Sequence, residues 1–395
     1  MKHLTIILSL LLSVQMAFAQ DSLQTKVPMP LSESAYATLI TCEPSNEIYT
    51  SFSHTGLRIC DTVSGIDVVY NYGTFDFSTP HFAWKFATRT LDYCLSKSTY
   101  LSFIMEYDFW RRAVWEQRLK LTHQEVCNLY TMLEWNYLPE NRWYRYDFFR
   151  DNCATRIRDM ITNCLDHRTL NYPKDDHTGK TYRQIVYTTN HTYRLWWRLI
   201  IDLALGMRCD KDCSTFECAF LPLEMKTQFD TLTIAGTNET LAEAPHLTLQ
   251  DHRPPMHKSF SPTLAFWLLF IVVAALTFLA WWKKWQLKVL DIILFSINFI
   301  GSLILIFLWF FSAHYCTKWN LNLLWISPLF LYFAIRLYKS NTYVVLFQML
   351  LLVLAMIVAV FGWPQQFNSA VLPLILIYFV RLLDKLKLHN IIKRK

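Results

Sequence analysis

The chain has 395 residues, 53% of them hydrophobic and 17% charged, with a formal charge of +7. That length suits one sizeable soluble domain plus a membrane part, because long apolar runs gather towards the C-terminus. The basic excess sits largely in short loops between those runs, not in a stripe interleaved with aromatics, so no nucleic-acid partner is expected.

The chain opens with Lys2, an apolar run from Leu4 to Leu12, and Ala17-Phe18-Ala19 as a small-residue cleavage site. These are the parts of a secretory signal, assigned to residues 1–19. No Cys follows the site, so the mature N-terminus is not expected to carry lipid. Residues 20–227 read as one extracytoplasmic α+β domain, strands leading. Tyr36–Thr41 is a first strand, and Thr55–Asp61 and Ile66–Tyr72 form a hairpin around Thr62-Val63-Ser64-Gly65. Phe82–Leu95 carries no clear pattern, and Glu106–Leu119 is expected to be helical. Thr122–Asn136 is a helix with Thr122 and Glu125 as a capping box. Asp151–Leu165 is another, capped by Asp151 or Asn152. His191–Gly206 is a Trp-rich helix that Gly206 ends. Residues 228–262 are polar, with Pro245, Pro254, Pro255 and Pro262, and read as a tether.

Residues 263–395 form an all-α membrane domain of about five transmembrane helices: Leu264–Trp282, Val289–Phe311, Leu323–Tyr338, Tyr343–Trp363 and Ala370–Leu383. The third and fifth are short for a hydrocarbon core of about 30 Å. Lys283, Lys284 and Lys288 lie between the first two, Arg336 and Lys339 between the third and fourth, and Lys385, Lys387, Lys393, Arg394 and Lys395 at the end. The alternate loops, Ala313–Asn322 and Gly362–Ser369, hold only Lys318. Positive loops stay inside, so the C-terminus is expected in the cytoplasm and the domain outside, as the signal also requires. Nine of the ten cysteines lie in the extracytoplasmic domain, where an oxidising envelope permits disulfides. Cys209-x3-Cys213-x4-Cys218 fits no standard zinc spacing and no nearby His completes it, so no metal and no cofactor are expected.

Two segments can carry chemistry: Ser53-His54-Thr55-Gly56-Leu57-Arg58-Ile59 and Asp151-Asn152-Cys153-Ala154-Thr155-Arg156. Cys153 falls in the first turn of its helix, where free N–H groups and the dipole favour a thiolate. Ile157, Met160, Ile161 and Cys164 share its face, so the thiol points inward, towards the sheet. His54 starts a strand. If Asp61 pairs with Ile66, Gly56 pairs with Asn71, and the His54 ring lies one diagonal step from Asn71. Asp67 shares that face but pairs with Cys60, roughly 13 Å further along, so Asn71 is the better third member and Asp67 the alternative. Cys, His and Asn make a nucleophilic triad. Arg58 and Arg156 are candidate bidentate phosphate ligands. The Cys153 N–H and the Asn152 side chain are candidate oxyanion donors. His314, with Asn320 and Asn322, sits in the outside loop after the second span and is a candidate for the lipid site.

A strand His followed by an Asn-Cys helix start is the order found in circularly permuted papain-like folds. More closely, SHTGLRI, GIDVVYNYGTFDF, EQRLKLT, PENRWYRYDFFRDNCATRIRD, FLPLEM and FSAHYCTKWNLNLLWISPL resemble the Lnb-type lipoprotein N-acyltransferases of Bacteroidota. The resemblance covers nearly the whole mature chain. Tyr72, Gly73 and Asp76 match its motif, whereas Ser53 stands where the family usually has Gly. It implies a permuted papain-like thiol domain in which Cys153 takes an acyl chain from a glycerophospholipid as a thioester. The acceptor would be the α-amine of a diacylglyceryl lipoprotein in the same membrane. Two other readings stay open: an envelope cysteine peptidase or amidase acting on peptidoglycan, and a non-enzymatic lipid-binding or assembly module.

Overall fold

The computed structural model describes residues 29–393 except 46, 48, 49, 174, 175, 190–193 and 255–258. The expected signal segment, 1–19, lies outside the described residues. Strands β1 (Tyr36–Cys42), β2 (His54–Asp61) and β3 (Ile66–Thr74) come first. The β2–β3 hairpin has the expected register: Asp61 pairs with Ile66, Cys60 with Asp67 and Leu57 with Tyr70. Gly65, at φ 69°, closes the loop in the left-handed region that glycine adopts at least cost.

Helix α1 (Phe82–Thr88) and strand β4 (Asp92–Thr99) follow. The helix expected over 106–119 lies earlier. α2 spans Tyr100–Phe109, because the Thr99 hydroxyl caps it by accepting from the Ser102 N–H (3.2 Å). The remainder, β5 (Val114–Arg118), is a strand paired with β1; its Val, Trp and Gln gain a ladder there that a helix extension would forfeit. α3 (His123–Tyr137) begins with the expected capping box: Thr122 Oγ1 accepts from the Glu125 N–H (3.3 Å), and Glu125 accepts from the Thr122 N–H (2.8 Å). The three-residue β6 (Trp143–Arg145) and α4 (Cys153–Cys164) come next. Then follow α5 (Tyr182–Val186), α6 (Leu195–Ala204), α7 (Thr215–Cys218) and α8 (Pro222–Thr231).

The polar tether expected over 228–262 is instead largely folded domain. Phe229, Leu232, Ile234, Leu241 and Ala242 are core. β7 (His246–Leu249) pairs with β5 and ends a seven-stranded antiparallel sheet of order β6-β4-β3-β2-β1-β5-β7. Pro245 directly precedes β7, and Pro262 opens the helix that follows. One sheet face presents Leu39, Leu57, Ile59, Tyr70 and Tyr72 to a core shared with α3, α4 and α8. The other presents Ile40, Cys42, Val69 and Val114 to Phe103 and Tyr107 of α2.

Among the described residues, three helices are long and apolar enough to cross a membrane: α9 (Pro262–Lys283), α10 (Lys288–Phe310) and, later in the chain, Thr342–Phe361. Between them, the span expected over 323–338 breaks into a 3-10 turn at Leu321–Leu324 and α11 (Leu329–Arg336). Eight residues rise only about 12 Å. Pro328 starts α11, and the Asn320 and Asn322 side chains donate to the Leu203 carbonyl, while Asn320 Oδ1 accepts from the Asn322 N–H. Thr342–Phe361 is α12, and α13 (Val371–Lys393) completes the bundle. Arg381 of α13 binds Asp291 (2.7 Å), Asp384 (2.9 Å) and the Thr277 hydroxyl (2.8 Å), and Lys385 also reaches Asp291 (3.3 Å). These charges pair inside the bundle, as charges taken out of water must.

The bundle's loops dock directly on the sheet domain. The Gly206 and Met207 N–H groups donate to the Cys316 and Trp319 carbonyls (2.8 and 3.1 Å). Asn320 and Gln365 donate to the Leu203 and Leu205 carbonyls (2.7 and 3.0 Å). Gly206 is therefore not the helix stop expected of it. Its φ is −89°, and a Cβ there would clash with the Lys318 carbonyl oxygen.

Candidate active site

Cys153 is the first residue of α4 and is buried. Asn152 holds this helix start. Its Oδ1 accepts from the Ala154 and Thr155 N–H groups (2.8 and 2.9 Å), and its Nδ2 donates to the Phe148 and Phe220 carbonyls (2.6 and 2.9 Å). With every side-chain bond committed, Asn152 is a structural cap and not the oxyanion donor expected of its amide.

The backbone N–H groups of Thr55, Ala154 and Cys153 favour the Cys153 thiolate, yet burial outweighs them and pushes the thiol up to about 11. The helix start therefore does not yield the resting thiolate that its position suggests, because desolvation of the anion exceeds what three N–H groups return. Thr55 follows His54, so the thiol meets β2 one residue from the imidazole, beyond Leu57–Tyr70, where the β2–β3 pairing ends. Gly73, at φ 91°, keeps this place open: a Cβ on it would lie 3.6 Å from the Cys153 Cβ and 3.6 Å from the Tyr146 ring.

His54 Nε2–H donates to Asn71 Oδ1 (3.0 Å), which leaves Nδ1 as the acceptor. Burial, reinforced by the charge of Arg112 and opposed by the Asn71 bond, lowers the imidazole to about 4. Strand alternation puts His54 and Thr55 on opposite faces, and no hydrogen bond joins ring to thiol among the described residues. Both groups are neutral near pH 7. Asp67, the alternative third member, is held by Arg58.

Arg58 is not free for a phosphate. Its guanidinium forks onto Asp67 (2.7 and 2.9 Å), reaches Glu116 (3.3 Å) and lies 3.4 Å over the Tyr100 ring. Arg156 is likewise paired, bidentate to Asp151 (2.6 and 3.0 Å) and 3.6 Å over Tyr144. Tyr72 is fully buried and its hydroxyl donates to Asn136, so it packs the core. Both arginines and Tyr72 thus serve the fold. Asp76 accepts from the Ser78 N–H (2.8 Å) and fixes the turn after β3.

Among the described residues, the hydroxyls of Ser53, Thr55 and Tyr144, none of them assigned a role from the sequence, are buried with no hydrogen-bond partner. Tyr144 Oη lies 3.9 Å from the same Gly73 Cβ position, and burial holds its phenol well above the usual value, so it stays a donor. Trp143-Tyr144-Arg145-Tyr146 alternates with period two, the signal that would have turned Tyr144 and Tyr146 inward. Tyr146 then lines a small cavity with Phe86, Arg89, Leu91, Tyr93 and His314. His314 Nε2–H donates to the Phe86 carbonyl (3.0 Å), so the loop after α10 does reach the wall next to the thiol. Burial lowers the His314 imidazole as well.

Residues 31–188 match the family model described as the Lnb N-terminal periplasmic domain, and residues 255–391 that of the Lnb transmembrane domain. No curated protein and no solved structure matches the chain.

Proposed function

The chain belongs to the Lnb family, with a periplasmic domain and a multi-pass membrane domain, and from that premise we propose that it is a thiol-dependent lipoprotein N-acyltransferase. The donor is a glycerophospholipid, and the acceptor is the α-amine of a diacylglyceryl-cysteine lipoprotein. The observation that carries this reading is the buried thiol of Cys153 at a helix start, one residue along β2 from the His54–Asn71 pair. Strand-borne His preceding helix-borne Cys also supports a permuted papain-like reading of the domain.

In the first step the thiol proton passes to His54 Nδ1 as Sγ attacks the acyl ester carbonyl. A ring that is neutral at rest suits a general base, and resting catalytic hydrogen bonds commonly shorten only once substrate is in place. The C–S bond forms, and the oxyanion falls to the Cys153 N–H and the unpartnered hydroxyls of Tyr144 and Thr55. The C–O bond then breaks, and the lysophospholipid alkoxide takes the proton from the imidazolium. In the second step the lipoprotein amine attacks the thioester, the C–N bond forms, and the thiolate leaves and is reprotonated. Burial of the thiol keeps water from competing with the amine.

Five crossings fit this task if α13 and the broken segment 321–339, of which α11 is the helical part, join the three long apolar helices. With the C-terminus in the cytoplasm, the bundle holds the thiol at the outer surface of the inner membrane, where both substrates reside. The test is mass spectrometry of the Cys153 peptide after the full-length protein meets phospholipid vesicles. A thioester adduct, absent in Cys153→Ala, is expected. Active enzyme that never carries one would sink the proposal.

A further inference from the structure

A chain of aromatic contacts leads away from Cys153. Tyr146, at its side, stacks on Tyr93 (4.5 Å between ring centres), and Tyr93 meets Phe75 (5.2 Å). Phe75 meets Phe77 (4.8 Å), Phe77 meets Phe82 (5.0 Å), and Phe82 stacks on Phe86 (6.4 Å). This path ends on α1 and the turn before it, which leave an unusual aromatic face uncovered by the protein: Phe77 in the turn and Trp84 and Phe86 on the helix are 60%, 61% and 53% exposed. Such a patch on a soluble domain marks a contact surface. Here its neighbour is known, because Trp84 lies against Phe307 of α10 (5.1 Å), and the Ala313 N–H and His314 tie the loop after α10 to the Thr88 and Phe86 carbonyls. One end of the path therefore abuts a membrane span and the other the thiol.

We propose that this aromatic path is the track along which an acyl chain of a bilayer lipid reaches Cys153, its carbonyl at the thiol and its tail running back past Tyr93 and Phe86 to the outer end of α10. The track rests on the acyl-transfer reading only for its inner end. An acyl chain drawn out of the bilayer must otherwise cross a polar surface, and an unbroken apolar path removes that cost. The occupant is a lipid tail and not a peptide, because the path is continuous with a membrane span and its exposed wall is aromatic. At rest the cavity under His314 is only about 10 Å³, room for about one water. The track is thus closed until a tail parts it, and Phe77 and Phe86, already half in solvent, are the side chains that can move without opening the core. His314 is a positioning residue, holding α1 against the membrane loop.

The full-length Cys153→Ala protein, reconstituted in phosphatidylethanolamine and phosphatidylglycerol vesicles, holds the lipid unreacted. The lipids carry a photoreactive diazirine either at the acyl tail end or beside the carbonyl. After irradiation, tail-end label is expected on Phe77, Trp84 and Phe86, and carbonyl-proximal label on Tyr93 and Tyr146. Trp110 and Trp135, exposed aromatics elsewhere on the domain, should carry at least tenfold less. Equal labelling of those two, or a reversed order along the path, overturns the track. If wild-type protein forms the Cys153 thioester while label falls elsewhere, the track fails and the acyl-transfer reading survives. If the track is labelled in order and no thioester forms, the track stands and the acyl-transfer reading fails.

Discussion

His54 and Cys153 sit at opposite ends of the titration range, about 4 and about 11, and both displacements come first from burial. As a base, His54 must be neutral, and its lowered value keeps it so well below pH 6.5. The kcat/KM profile on lipid vesicles should therefore stay flat through pH 6.5 and fall only as pH drops through about 4. An acid limb centred near 6.5 would show that the ring is not enclosed as described. For stability the sign is the same. Between about pH 4 and the unfolded value of about 6.5 only the unfolded chain binds this proton, so the contribution of His54 is complete above 6.5 and is lost as pH falls towards 4. Tyr144→Phe removes one unpartnered hydroxyl and nothing that packs. It should slow thioester formation about a hundredfold without lowering the unfolding temperature, read by single-turnover mass spectrometry beside calorimetry. Ser53 carries φ 69° and a buried hydroxyl without a partner. That left-handed conformation costs a non-glycine residue about 1 kcal/mol or more, a cost that glycine would not carry. Ser53→Gly should stabilise the protein by about 0.5–1 kcal/mol, after the added chain entropy of glycine is deducted.

Elements with a local signal were legible. The β2–β3 register followed from its loop length, and the α3 cap from Thr122 and Glu125. α4 also announced itself, but its cap proved more demanding than the sequence suggests, since Asn152 also binds two carbonyls from outside the helix. Asn152→Ala should cost about 2–3 kcal/mol, a lost cap plus carbonyls left unsatisfied, as a shift in the denaturant midpoint. β5 and β7 were not legible, because short strands at or beside a sheet edge owe their conformation to the neighbours they pair with. The same holds for cysteine pairing. Cys213 and Cys218, five residues apart on either side of the α7 start, bring their sulfurs to 3.0 Å, while Cys209 lies at the Cys316 carbonyl. In an oxidising periplasm the Cys213 and Cys218 thiols should lose two electrons and two protons to a disulfide-bearing oxidoreductase. Non-reducing peptide mapping should find that bridge and a free Cys153.

At the scale of the whole molecule the sheet domain and the membrane bundle act as one body. Gly206 leaves no room for a side chain at the junction, since a Cβ there would lie 2.0 Å from the Lys318 carbonyl oxygen. Gly206→Ala must push the two apart. The expected result is faster proteolysis between α6 and α9 and a fall in thioester yield in vesicles, because the loop with His314 leaves the cavity wall. Unchanged proteolysis would mean that the junction yields locally. Buried Arg183 supports the same junction through Asp202 and Asp210, and Asn368 of the membrane part also binds Asp202 (2.7 Å).

The sequence by itself determined the order of parts: a soluble α+β domain ahead of apolar helices, an inward-facing Cys at a helix start, and a His within reach of Asn71. Each of these depends on spacing along the chain, which composition and periodicity record. Only the tertiary structure decided what the charged and polar neighbours do. Arg58, Arg156, Tyr72 and Asn152 looked available because their types suit a ligand. They are occupied because partners such as Asp67, Asp151, Asn136 and Phe220 are brought beside them by folding. The thiol's raised value has the same origin, since desolvation depends on everything packed around a group and on nothing adjacent to it in sequence.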